Sequence, residues 1–308
     1  MKTIFLPKNR LYWKTVTINC LLAISFLAFA QNDLSGIITD GATLELLSGE
    51  FSFTEGPAAD RDGNVYFTDQ PNDRIMVWTT EGDLEIFLQP SGRSNGLFID
   101  KNGYLWACAD ENNEIWKISP TKQIEKTPNT FEGARFNGPN DLWVSPNGKV
   151  YFTDPFFRRD WWSHTSAPQE KRRVYMYDPE KGSITGVEDS LTQPNGIVGT
   201  PDGKKLFVAD NVGSKTWSFT IEPDGSLSNK TLFCNMSSDG ITIDTDGNLY
   251  LTGRGVTVFD KTGKKLGNIP VPESWTANVC FGDSDRQSLY ITASKGLYRI
   301  KMKVKGAY

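Results

Sequence analysis

Six copies of one short pattern limit what this chain can fold into. The clearest copy spans residues 136–155, FNGPNDLWVSPNGKVYFTDP: a polar turn, an apolar stretch at 142–144, a Pro-Asn-Gly turn, a second stretch at 150–153 and a closing Asp154. Two apolar stretches about a tight turn make a β-hairpin. The pattern returns from Glu55 (EGPAADRDGNVYFTD), Asn95 (NGLFIDKNGYLWACAD), Asn195 (NGIVGTPDGKKLFVAD), Asp239 (DGITIDTDGNLYLT) and Asn278 (NVCFGDSDRQSLYIT). Steps of roughly 40 to 55 residues hold four short strands each, which is one blade of a β-propeller. The predicted fold is therefore all-β, a six-bladed β-propeller. Its sixth blade lacks a fourth strand, and the stretch 42–47 is expected to supply it and close the ring, since closure removes exposed sheet edges.

Residues 1–30 read differently. Lys2, Lys8, Arg10 and Lys14 precede an apolar run from Cys20 to Phe29, and Ala28-Phe29-Ala30 is a small-x-small cleavage site. This is expected to be a secretory signal peptide cleaved after Ala30. An uncleaved anchor is the alternative, but the run is shorter than the roughly 20 residues of a membrane span. The remaining domain, 31–308, is expected to be secreted or periplasmic and free of the membrane after cleavage. Its formal charge, already −4 for the whole chain, becomes more negative when four basic residues leave with the signal. Such a surface is a poor partner for nucleic acid. Cys108, Cys234 and Cys280 sit far apart in apolar stretches and are expected to be buried free thiols, not a disulfide framework or a CxxC metal site. Trp78, Trp106, Trp116, Trp143 and Trp217 are expected in the core, and the pairs beginning at Asp62, Asn102, Asn147, Asp202 and Asp246 are hairpin turns.

One register position is set apart. Glu55, Asn95, Asn140, Asn195, Asp239 and Asn278 stand just before the innermost strand of successive blades, so six oxygen-bearing side chains converge on the propeller axis. Asn or Asp before Gly is often only a turn, but Glu is not a turn former. Two carboxylates in one small volume repel and lose hydration unless a cation lies between them. A central metal site follows. Oxygen ligands favour calcium, or magnesium or manganese, over a conventional zinc site. The loop 155–173, the longest internal connection, is expected to open over that site, with Phe156, Phe157, Trp161, Trp162 and the single histidine, His164, as its roof.

At these residues the sequence resembles the gluconolactonase, senescence-marker-protein and luciferin-regenerating-enzyme group, six-bladed propellers that include metal-dependent lactone hydrolases. The resemblance runs through Glu55-Gly56-Pro57, Phe136-Asn137-Gly138-Pro139-Asn140-Asp141, Gln193-Pro194-Asn195-Gly196, Ser238-Asp239-Gly240 and 276–282. It implies a divalent metal on Glu55, Asn195 and Asp239, with zinc among the candidate cations beside calcium, magnesium and manganese. It places the acid/base at Asp239, and gives Asn140 a role in contacting substrate and supporting the metal. Where some members carry an Arg two residues before that Asn, this chain has Gly138. Where they carry a substrate-contacting Glu, it has Arg158. Arg93, two residues before Asn95, is the expected replacement for the missing positive charge, so Arg93, Asn95 and His164 join Asn140 as expected substrate contacts. The implied activity is hydrolysis of a small sugar-acid lactone. A secreted propeller that binds a ligand around a structural metal, without turnover, is the alternative, and the acid pair Glu55 and Asp239 argues against it. A propeller esterase using paired histidines does not fit a chain with one histidine.

Overall fold

A computed structural model describes residues 33–308, so the signal-peptide reading of 1–30 lies outside the described residues. Within them, six four-stranded antiparallel sheets follow one another along the chain, each in simple up-and-down order. Blade one comprises Thr54–Ala59, Val65–Asp69, Arg74–Trp78 and Leu84–Leu88, and blade two Ser94–Ile99, Leu105–Ala109, Glu114–Ile118 and Ile124–Lys126. Blade three comprises Leu142–Val144, Val150–Asp154, Arg173–Asp178 and Ser183–Glu188, and blade four Pro194–Gly199, Lys205–Asp210, Lys215–Ile221 and Leu227–Cys234. Blade five comprises Ile241–Ile243, Leu249–Gly253, Gly255–Phe259 and Lys265–Ile269. Blade six has Thr276–Gly282, Ser288–Ala293 and Gly296–Lys301.

The fourth strand of blade six comes from the start of the domain, as expected. It is Glu45–Ser48, starting three residues later and ending one residue later than the stretch read from the sequence, and it pairs Glu45 with Arg299 and Leu46 with Tyr298. A small hairpin, Thr130–Phe131 with Ala134–Arg135, was not anticipated. Residues 155–172 form the long connection in blade three, between Val150–Asp154 and Arg173–Asp178.

The hairpin pairs behave as turn chemistry demands. Gly63, Gly103, Gly148, Gly203 and Gly247 all take positive φ, a region open to glycine. The apolar core is distributed around the ring, because each sheet buries its faces against its neighbours. Leu97, Ile75 and Trp116 fill the first such interface, and Phe136, Phe152 and Tyr175 pack ring against ring at 5.0 to 5.3 Å in blade three. Trp106, Trp116 and Trp143 are buried as expected. Trp78 and Trp217 are only half-buried. Cys108, Cys234 and Cys280 are free and buried.

Candidate functional site

The inner strands are bulged where they meet the axis. Register slips between Glu55 and Ala58, Ser94 and Leu97, Pro194 and Ile197, and Thr276 and Asn278. In blades three and five the ladder begins only at Leu142 and Ile241, just past Asn140 and Asp239. A bulge breaks the in-and-out alternation and re-aims a side chain. Threonines of the second strands fasten these irregular turns. Thr68 Oγ1 donates to the Asn95 carbonyl at 3.0 Å, the Gly240 amide donates to Thr252 Oγ1 at 2.8 Å, and the Asn278 amide donates to Thr292 Oγ1 at 3.1 Å.

The glycine after a ring residue has a different task from the hairpin glycines. A Cβ at Gly56 would strike the Asn95 carbonyl, and one at Gly240 would strike the Asn278 carboxamide. Successive blades therefore pack directly on glycine backbone at the axis, against a main-chain carbonyl at Gly56 and a side chain at Gly240, which draws the ring residues together.

Five of them, Glu55, Asn95, Asn140, Asn195 and Asp239, line one cavity of about 240 Å³. The sixth does not. Asn278 lies over Gly240, its Oδ1 accepts from the Val279 amide at 2.8 Å, and its Nδ2 donates to Asp141 Oδ2 at 3.4 Å. Asn278 and Asp141 line the narrow channel beneath the cavity instead. Six converging side chains thus become five, because the glycine that allows close approach also fixes Asn278 one layer down.

The electrostatics of the cavity are those of two buried acids with one cation, Arg159, on the wall. Burial pushes the Glu55 carboxyl well above the usual carboxylate range, and the charges of Asp239 and Asp141 push it further, against a 2.8 Å bond from the Gly56 amide to Oε2. Asp239 is pushed up to about 6 by the atoms packed around it. Trp275 Nε1, donating to Oδ2 at 2.7 Å, and Asn195 Nδ2, donating to Oδ1 at 2.7 Å, hold it down, helped by the charge of Arg159. Asp141, deeper still, is raised to about 8 by burial.

These residues suit a divalent cation. Asn95 Oδ1 and Asn195 Oδ1 are buried acceptors without a hydrogen-bond partner, an arrangement that is costly unless something electropositive meets them. They line the same cavity as the two raised carboxylates. Among the described residues no three acidic, histidine or cysteine side chains form a cluster. The donors are two carboxylates and amide oxygens, a hard all-oxygen set.

Of the residues expected to contact substrate, Asn95 and Asn140 line the cavity, whereas Arg93 and His164 are not among its lining residues. Arg93 Nη1 donates to the Pro71 carbonyl at 2.8 Å, and its guanidinium lies 4.8 Å from the Trp161 ring. His164 stacks on Trp162 at 4.7 Å with the planes 17° apart. Arg93 thus contacts the loop through Trp161, and His164 packs within the loop itself. From the loop itself, Phe157 and Arg159 reach the cavity. Arg159 Nε binds Asp110 Oδ2 at 2.6 Å and Trp162 Nε1 donates to the Asp110 carbonyl at 2.8 Å, which pins the loop to blade two. The Trp162 ring occupies the space that a side chain at position 138 would need. Asp141, Arg159 and Trp275 were not singled out in the sequence. Asp141 carries a signal, an acid directly after a ring residue; Arg159 and Trp275 carry none beyond their loops.

The sequence pattern of the SMP-30/Gluconolactonase/LRE-like region matches residues 53–295. The gluconolactonase of Zymomonas mobilis subsp. mobilis is 30% identical over 304 residues, covering 89% of this chain and 85% of that protein. The solved gluconolactonase of Xanthomonas campestris has a TM-score of 0.80 at 28% identity, over 87% of this chain and 92% of that one. A calcium-binding regucalcin from Agrobacterium tumefaciens shares the fold, with a TM-score of 0.71 at 16% identity over 86% of this chain and 95% of that one. With its blades, its axial acids and these relatives in agreement, the chain belongs to the SMP-30/gluconolactonase/LRE-like family.

Proposed function

We propose that this protein hydrolyses a sugar-acid lactone with the help of one divalent cation, calcium before magnesium, manganese or zinc, and with Asp239 as general base. The observation that carries the reading is the meeting of Glu55, Asp239 and the unpartnered oxygens of Asn95 and Asn195 on one cavity. The similarity to gluconolactonases supports the substrate class, and the all-oxygen donor set supports a hard ion.

Glu55, Asn195 and Asp239 would hold the cation, joined by Asn140. When bound, it would polarise the lactone carbonyl and offset the charge developing on that oxygen. Asp239 accepts a proton from the water that adds to the carbonyl carbon. The bond from that carbon to the ring oxygen breaks, the ring oxygen takes up a proton, and a hydroxy acid is released. The bonds from Trp275 and Asn195 fix both Asp239 oxygens, and a carboxyl held at about 6 is ionised near neutrality yet more basic than a free one. Arg159 presents a guanidinium to the substrate hydroxyls and the new carboxylate, with Phe157 beside it and Asn95 across the cavity.

Proton release from glucono-1,5-lactone by the purified protein tests this, before and after chelation and with calcium, zinc, magnesium or manganese restored. Turnover lost on chelation and regained with one cation is expected. Undiminished turnover in stripped protein would remove the metal from the mechanism. Failure across a panel of sugar lactones, with metal still bound, would replace the lactonase by a metal-riveted binding module. Asp239→Asn should lower kcat/KM by roughly 10² to 10⁴, and it should weaken metal binding as well.

A further inference from the structure

The channel has a second mouth. Below the narrow stretch lined by Asp141, Leu142, Ile197 and Val279, it widens on the opposite side of the ring into a cavity of about 360 Å³. The inner strands that begin at the acids and amides end here. Three cations, Arg61, Lys101 and Arg286, surround this cavity, and its floor is apolar, with Phe98, Ile99, Val144 and Pro146 beside Tyr308. The floor is fixed in place. The Tyr308 ring meets Phe98 edge-on at 5.3 Å, and its hydroxyl donates to the Gly199 carbonyl at 2.7 Å while accepting from Trp143 Nε1 at 2.9 Å.

None of the three cations has a carboxylate partner among the described residues. Arg61 Nη2 donates to the Lys101 carbonyl at 2.9 Å, Lys101 Nζ to the Pro146 carbonyl at 2.8 Å, and Arg286 Nη2 to the Asp60 carbonyl at 2.6 Å. These bonds orient the side chains and leave their charge uncancelled. Arg286 Nη1 is buried without any partner. The one acid on the cavity wall, Asp100, is already committed: Oδ1 accepts from the Asn102 and Tyr104 amides at 2.8 and 3.1 Å, and Oδ2 accepts from Trp106 Nε1 at 2.9 Å. Three unpaired cations around one cavity stand out in a chain whose net charge is −4. The volume lies at the lower end of the range for small-molecule sites, roughly 300 to 1,000 Å³.

We infer that the second mouth is a ligand site for a small organic anion with a flat apolar body. The acid group sits among Arg61, Lys101 and Arg286, and the body lies against Phe98 and Tyr308. A sugar acid, polar on every side, does not suit an apolar floor, so the product of the proposed reaction is not this ligand.

Fluorescence titration of the full protein with 8-anilinonaphthalene-1-sulfonate, an aromatic sulfonate, tests the site. Its uncharged relative N-phenyl-1-naphthylamine is the matched control. The sulfonate should bind one site, roughly tenfold or more tightly than the neutral compound at low salt. Arg61→Met with Lys101→Met, both exposed positions, should erase that preference while leaving the neutral compound's affinity and lactone turnover unchanged; should the pair misfold, Lys101→Met alone should lose part of it. Tyr308→Ala should weaken both compounds. No sulfonate binding, equal affinity for the two compounds, or an affinity untouched by the cation variants would overturn the inference. So would displacement of the sulfonate by glucono-1,5-lactone, which would put the compound at the other mouth.

Discussion

Four aspartates close the second strand in four successive blades, Asp69, Asp110, Asp154 and Asp210, and three of them do one thing while the fourth does another. Asp69 accepts from the amides of Ser52 and Phe53 at 3.0 and 3.3 Å, Asp154 from Asn137 and Gly138 at 2.9 and 2.8 Å, and Asp210 from Thr192 and Gln193 at 2.9 and 2.8 Å. Each ties down the segment that leads into its own inner strand and so sets where the ring residue sits. Asp110 touches no such amide. Its carboxylate takes Arg159 and Gln70, at 2.6 and 3.1 Å. The lead-in of blade two is held by Asp73, which accepts from the Ser91 and Arg93 amides at 2.9 and 2.7 Å. With that task moved to blade one, Asp110 is free to anchor the loop that carries Arg159 into the cavity. A repeated residue that departs from its repeated partners has been recruited to the site.

Asp210→Ala should give the largest loss of stability. It strips an acceptor from three amides, those of Thr192, Gln193 and Gly213, and bonds to a charged group are worth about 1.5 to 3 kcal/mol each, so denaturant unfolding should show a loss of about 3 kcal/mol or more. A variant as stable as the parent would end the structural reading of the three. Asp73→Ala comes next, with a loss of about 2 kcal/mol, though it stands outside the repeated position. Asp110→Asn should leave the unfolding midpoint almost unmoved and raise KM for lactone roughly tenfold, with metal affinity intact. A fall in stability like that of Asp210→Ala would erase the distinction.

The last difference is in pH dependence. Burial raises the Asp110 carboxyl from 3.8 to about 6, against the charge and hydrogen bond of Arg159. A raised folded-state value means that folding takes up a proton between those limits. Its contribution to stability is therefore complete in acid and lost as pH rises through about 6, opposite in sign to that of an acid stabilised by its ion pair. Subtracting the stability–pH curve of Asp110→Asn from that of the parent should leave a slope confined to that interval.

The blades were legible because five of the six repeat their turn chemistry and the sixth keeps the strand spacing, and the axial acids because they recur in register with the blades. Two things were hidden. Asn102-Gly103 and Asn95-Gly96 read alike, yet the first pair is a hairpin turn with open space at its glycine and the second is where two blades touch, Gly96 lying against the Asn140 carbonyl of the next blade. The cation of the cavity was sought at Arg93, by counting back from Asn95. It is Arg159, because Asp110 lies free to hold it, and that freedom depends on Asp73 acting from another blade. Local pattern finds what each repeat does by itself; exchanges of duty between repeats are long-range and leave no local mark.

The strand Glu45–Ser48 gives the ring a seam. It pairs across 254 positions of sequence, from Glu45 to Arg299, whereas every other ladder in the blades joins neighbours in the chain. Closing a loop of that size costs about 5 kcal/mol of chain entropy, and the contact can form only after the sixth blade exists, which places ring closure late and makes folding slow. The same order, reversed, governs loss of structure: peeling Glu45–Ser48 from Gly296–Lys301 opens the circle first. The lifetime of the folded protein thus depends on one short edge pairing, whose N-terminal strand runs straight on into the first blade and Glu55, an acid whose geometry it preserves.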